Sequence, residues 1–200
     1  MKKLLFHAVA MLVLLSLGIT AQANPITCTF TGRGSGRLGG TSFSDSNFTI
    51  TAITDTVNRQ VYGGNPGIIY TIENTSAYIT IQNLGTYQFL IATRLFNHTG
   101  HGAVGFSRGG YYGGDLFYMR DIPALSSWNM LTSIGPLNGE TGSLTQWGPS
   151  GVSTSGGILE FSDNAHLPSS FTAEVVPEPS SIIVLAGASV GLLGIKRRRA

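Results

Sequence analysis

From residue 24 onward the chain alternates. In Ile26-Thr27-Cys28-Thr29-Phe30-Thr31 every second residue is apolar and threonine fills the gaps. The same period of two runs through Phe48, Ile50 and Ala52, through Ile68, Tyr70 and Ile72, and through Ala77, Ile79 and Ile81. An extended backbone sends successive side chains to opposite faces, so this spacing predicts strands with one buried and one solvated face. Asn83-Leu84-Gly85-Thr86 predicts a hairpin turn into the run YQFLIATRLF. The runs AVGFS, DLFYM, GILEF and SFTAEV follow as further strands. Threonine, isoleucine, phenylalanine and tyrosine dominate these runs, while glycine, serine and asparagine separate them.

Many short strands with one solvated face each predict an all-β fold, an antiparallel β-sandwich of jelly-roll-like or similar type. Asp121 to Gly157 is less regular and holds Pro123, Pro136 and Pro149. One short helix is expected near PALSSWNMLTSI, with Leu125, Trp128 and Leu131 on one face. The rest of that stretch reads as long loops over an open end of the sandwich.

The two ends differ from this body. Lys2 and Lys3, the apolar stretch Leu4 to Ile19, and Ala21-Gln22-Ala23 have the layout of a secretory signal peptide over residues 1–23, cut after Ala23. That implies the Sec machinery and signal peptidase as partners. Residues 24–173 then form one domain, in which six arginines face eight carboxylates for a net −2. The basic character of the whole sequence comes from its ends, and the body lacks the basic footprint of a nucleic-acid binder. Cys28 is the only cysteine, so no internal disulfide forms; a buried thiol on a strand is expected, with pairing between chains as the alternative.

Residues 174–200 have three parts. Pro177-Glu178-Pro179 holds a carboxylate on a stiff, extended segment. Ser181 to Ile195 is 15 residues without a charge. As a single transmembrane helix it spans about 22 Å, short of a roughly 30 Å hydrocarbon core. Lys196, Arg197, Arg198 and Arg199 stop translocation and keep the C-terminus cytoplasmic. This order resembles the PEP-CTERM sorting signal of Gram-negative bacteria. The resemblance implies that the chain is a substrate of an exosortase, an integral-membrane cysteine peptidase that removes the tail. It also implies passage through the inner membrane with the body periplasmic, then display at the cell surface or in the extracellular matrix, often in species that make exopolysaccharide. The body segments TFTGRGSGRLGGTSFSDSNFTITAITDT, VGFSRGG and LTSIGPLNG resemble a recurring β-rich type among such substrates, which has no established chemistry.

Several motifs compete for a chemical role. Gly34-Ser35-Gly36-Arg37-Leu38-Gly39 fits G-x-G-x-x-G, but turn and strand residues follow where a dinucleotide site needs a helix. A hairpin or bulge is expected there. Gly105-Phe106-Ser107-Arg108-Gly109 fits G-x-S-x-G, with His166 and Asp115, Asp121 or Asp163 available for a serine hydrolase, yet no helix follows to make the elbow. His98 and His101, with His166 and Asp163, are the candidate zinc ligands. Asp45, Asp55, Asp115, Asp121 and Asp163 are candidates for calcium or, more simply, for turns and caps. Tyr111, Tyr112, Trp128 and Trp147 would stack on saccharide rings if exposed and pack in the core if not. Asn47, Asn74 and Asn97 begin N-x-[ST] triplets and read as strand edges and turns. The reading that follows is an exported, non-enzymatic protein without cofactor. A carbohydrate-binding module contacting exopolysaccharide and an extracellular serine hydrolase are the alternatives.

Overall fold

Phe30, Phe48 and Phe171, from three strands, all turn the same way, and the sheet curls around them. The structure, a computed structural model, describes residues 24–110, 114–140, 151–162 and 167–176. The signal peptide with Ala21 and Ala23, the tail with Pro177, Glu178, Pro179 and Lys196 to Arg199, and Tyr111, Tyr112, Trp147, Asp163 and His166 lie outside the described residues. Among the described residues no helix is long and apolar enough to cross a membrane.

Among the described residues twelve strands form one antiparallel sheet: β1 Pro25–Leu38, β2 Thr41–Asp55, β3 Gln60–Gly63, β4 Ile68–Ile81, β5 Gly85–Gln88, β6 Thr93–His98, β7 Ala103–Arg108, β8 Asp115–Met119, β9 Ile134–Glu140, β10 Val152–Thr154, β11 Gly157–Phe161 and β12 Pro168–Val175. The fold is all-β, as the alternation predicts. The sequence predicts two separate packed sheets; the hydrogen-bonded path is instead continuous, running β10-β11-β1-β2-β4-β6-β7-β8. The long strands explain this. The first half of β1 pairs with β12 and its end with β11, while β4 pairs with β3 and β6 at its start and with β2 and β5 further on. A strand long enough to have different neighbours at its two ends carries one ladder into the next.

Past β5, the Leu90 amide donates to the Ser153 carbonyl at 2.9 Å and the Ser155 amide to the Gln88 carbonyl at 2.9 Å, with Phe89 opposite Thr154. These bonds carry the ladder from β5 to β10, so β1, β2, β4, β5, β10 and β11 close a ring. Elsewhere the curl stays open. One arm ends at β8 and another at β9, and the Met119 and Ile122 side chains lie against Gly139 between them.

Inside the curl runs a chain of rings. Trp128 contacts Phe171, Phe171 contacts Phe30, Phe30 contacts Phe117, Phe117 contacts Phe48, and Phe48 contacts Phe161, with centroids 4.8–5.9 Å apart. Tilted and edge-on geometries at these spacings are the favoured ones for aromatic pairs. Phe30, Phe117 and Phe171 are fully buried or nearly so.

Three local expectations need correction. The stretch near PALSSWNMLTSI holds a single 3-10 turn, Pro123–Ser126, with Leu125 and Trp128 buried but Leu131 40% exposed. Asn97 is the reason it stays put: this fully buried amide donates to the carbonyls of Leu125 (3.1 Å) and Trp128 (2.5 Å). Asn97 is thus a core anchor on β6 and not a strand-edge residue. The supposed loops between Asp121 and Gly157 include β9 and β10.

Candidate functional site

β6 turns Leu95 and Asn97 inward, so Phe96 and His98 stand on the outer face. Pairing places Gly105 of β7 beside Phe96 and Tyr118 of β8 beside Gly105. A Cβ at Gly105 would lie 2.4 Å from the Phe96 ring, so the ring rests directly on the glycine and leans toward β8. A side chain at position 105 would push it away. Phe96 and Tyr118 are both half-buried.

Beyond these rings the β6–β7 connection makes a 3-10 turn, Thr99–His101, closed by Gly102 in a left-handed conformation at φ 51°. The His101 ring packs tilted against His98, with ring centroids 4.4 Å apart and planes at 44°. The chain leaving β8 is bound to this turn, for the amides of Asp121 and Ile122 donate to the carbonyls of His101 and Gly102, each at 3.1 Å. Phe96, Tyr118, His98 and His101, with Asp115, Arg120 and Asp121, line a groove of about 280 Å³. A second hollow of about 390 Å³ shares His101 and Asp121 and continues over Pro123 and Ser126. Those two hydrogen bonds and the strand pairing beneath fix the backbone around the groove.

Its electrostatics are mixed. Arg120 and Asp121 form an exposed ion pair at 3.4 Å. Burial of the His98 ring, helped by a neighbouring His101 charge, holds the His98 imidazole below its ordinary value, against a hydrogen bond to its own backbone that acts the other way. His98 Nδ1 is buried, and its approach to its own backbone is too strained to be a well-formed hydrogen bond. A buried polar atom in this state is rare, and Asn74 Oδ1 and Asn97 Oδ1 share it elsewhere in the fold.

The candidates from the sequence separate clearly. Trp128 is 4% exposed, its indole donates to the Thr132 carbonyl at 2.8 Å, and its ring packs edge-on to Phe171, so it is core and not a sugar platform. Ser107 is fully buried near the end of β7 and donates to Asp115 at 2.8 Å; the next described element is the strand β8. The exposed serine of a nucleophile elbow is therefore absent at G-x-S-x-G. Gly34 and Gly36 flank a bulge in β1, and Gly39, at φ 54°, sits in the β1–β2 turn, which accounts for the G-x-G-x-x-G match. His98 and His101 do meet, but among the described residues no group of three or more His, Cys, Asp or Glu is placed to hold a metal ion.

Three of the aspartates have visible duties. Asp45 pairs with Arg33 at 2.6 Å, Asp55 accepts from the Val57 amide at 3.0 Å to cap a 3-10 turn, and Asp115 holds Ser107. Phe96 and Tyr118 escaped the sequence reading, because their strand runs gave no sign that a glycine stands between them across the sheet. No family model matches the chain, and searches of curated proteins and of solved structures return no match either.

Proposed function

We propose that the chain is an exported, non-enzymatic protein of the cell surface or extracellular matrix, delivered by a C-terminal sorting signal that an exosortase removes. One observation carries this reading: Pro177-Glu178-Pro179, the uncharged Ser181 to Ile195 and the basic Lys196 to Arg199 occur in that order. The stiff Pro-Glu-Pro neck presents an extended backbone that a peptidase can thread, with a carboxylate as its handle. The short apolar segment holds the body at the inner membrane, C-terminus cytoplasmic, long enough to be cut. Entry to this route is through the Sec machinery and signal peptidase, with Ala21 and Ala23 as the small residues of the cleavage site.

The body supports a display role over a catalytic one. Its serine in G-x-S-x-G is buried, its cysteine is buried, and its outer groove offers rings and hydrogen-bonding groups. Replacing Pro177, Glu178 and Pro179 by alanine is expected to leave full-length protein in the inner membrane, seen by fractionation and mass measurement at both termini. A shortened form still reaching the medium from that variant refutes the sorting reading.

A further inference from the structure

We propose that the outer groove of β6, β7 and β8 is a sugar-binding subsite that takes a neutral pyranose ring, stacked on Phe96 and Tyr118 with its hydroxyls on Asp115, Arg120 and Asp121. The inference adds a ligand to the displayed protein proposed above, but the binding itself is independent of how the protein is exported.

A pyranose has two kinds of surface. Its ring carbons present a C–H face that packs on an aromatic face, and its hydroxyls radiate from the rim as both donors and acceptors. The groove has the complementary arrangement. Phe96, backed by Gly105, gives a flat ring whose position is fixed from below, and Tyr118 lies beside it across the sheet. Around them stand acceptors on Asp115 and Asp121 and donors on Arg120. An apolar floor with a few convergent polar groups is the usual composition of a small-molecule site.

Charge narrows the ligand. Two carboxylates against one guanidinium give the lining a negative formal balance, which disfavours phosphate, sulfate or uronate ligands. A metal ion is disfavoured because no third ligand stands beside His98 and His101 among the described residues. His98 Nδ1, in the wall without a well-formed hydrogen bond, is a polar atom to which a bound hydroxyl or its attendant water gives a better partner. The adjoining hollow, entered past His101 and Asp121, gives a second ring somewhere to go, so an oligosaccharide fits better than a free monosaccharide.

The test uses the full chain, purified in mild detergent and titrated calorimetrically with gluco-, manno- and galacto-configured tetrasaccharides, a tetra-uronate and Zn²⁺. Saturable binding of at least one neutral tetramer is expected. Tyr118→Ala and Phe96→Ala each weaken it about 3- to 10-fold. Asp121→Ala, at a side chain 83% exposed but on a backbone at φ 60° that strains alanine, is first matched to the parent by circular dichroism and then weakens binding about tenfold or more. Three results each overturn the proposal: no neutral tetramer binds, the uronate or Zn²⁺ binds in preference, or Tyr118→Ala and Asp121→Ala both leave affinity unchanged. A shortened form released from the variant with Pro177, Glu178 and Pro179 replaced by alanine, with binding intact, removes the sorting reading alone.

Discussion

Cys28 shows how far a strand position decides chemistry. It faces inward on β1, opposite Ala52 of β2 and Ala173 of β12, with no exposed surface. Burial without a compensating charge drives its thiol well above the ordinary range, so the nucleophilic thiolate is not formed at physiological pH. The folded protein is therefore expected to resist iodoacetamide, with labelling appearing only once denaturant opens the sheet. Rapid modification of the native protein, followed by mass spectrometry, would show that β1 does not bury this face. The reading of Cys28 as a strand thiol needed only the alternation of its neighbours, because burial on one face is what a period of two encodes. The groove residues were not accessible in that way. Phe96, Gly105 and Tyr118 meet through pairing across three strands, and alternation fixes which face a residue takes but not which residue stands beside it.

At the level of elements, the places where the pattern slips are the informative ones. Ile72 and Ala77 both point inward although five positions separate them, an odd number that a regular strand cannot accommodate. The pairing with β2 shifts here, Thr54 opposite Asn74 and Ile53 opposite Ser76, leaving Thr75 as the extra residue of a bulge. Two runs that read as separate strands are thus one β4. The run YQFLIATRLF does the opposite, dividing into β5 and β6 because its two halves have different outer neighbours, β10 and β7. The β1 bulge has its own demand. A Cβ on Gly36 would sit 2.0 Å from the Glu160 carbonyl oxygen, a backbone atom that β1–β11 pairing holds in place. Gly36→Ala is expected to cost about 2–3 kcal/mol in urea unfolding, as forced expansion of a packed site does. Gly63→Ala, where nothing lies within 4 Å, is expected to stay within about 0.5 kcal/mol of the parent. Equal losses at the two positions would mean that β11 does not press on β1.

The whole molecule hangs on shared strands. β1 belongs both to the closed ring and to the open arm with β12 and β9, and the chain of aromatic rings passes from one to the other through Phe30 and Phe48. Neither part has a core of its own to retain when the other is lost. Unfolding is therefore expected to be a single transition, with backbone circular dichroism and near-ultraviolet aromatic signals changing together. Two separated midpoints would divide the ring from the arm.

The pairing of β1 with β12 has a mechanical side. Ile26 lies opposite Val175, and the Val176 amide donates to the Pro25 carbonyl at 2.8 Å, so the segments before residue 24 and after residue 176 leave from neighbouring points. Tension applied between those two points loads the hydrogen bonds of this antiparallel pair one after another, from Ile26–Val175 inward. The strands would peel apart like a zipper at low force, where a shear geometry would have all the bonds resist together.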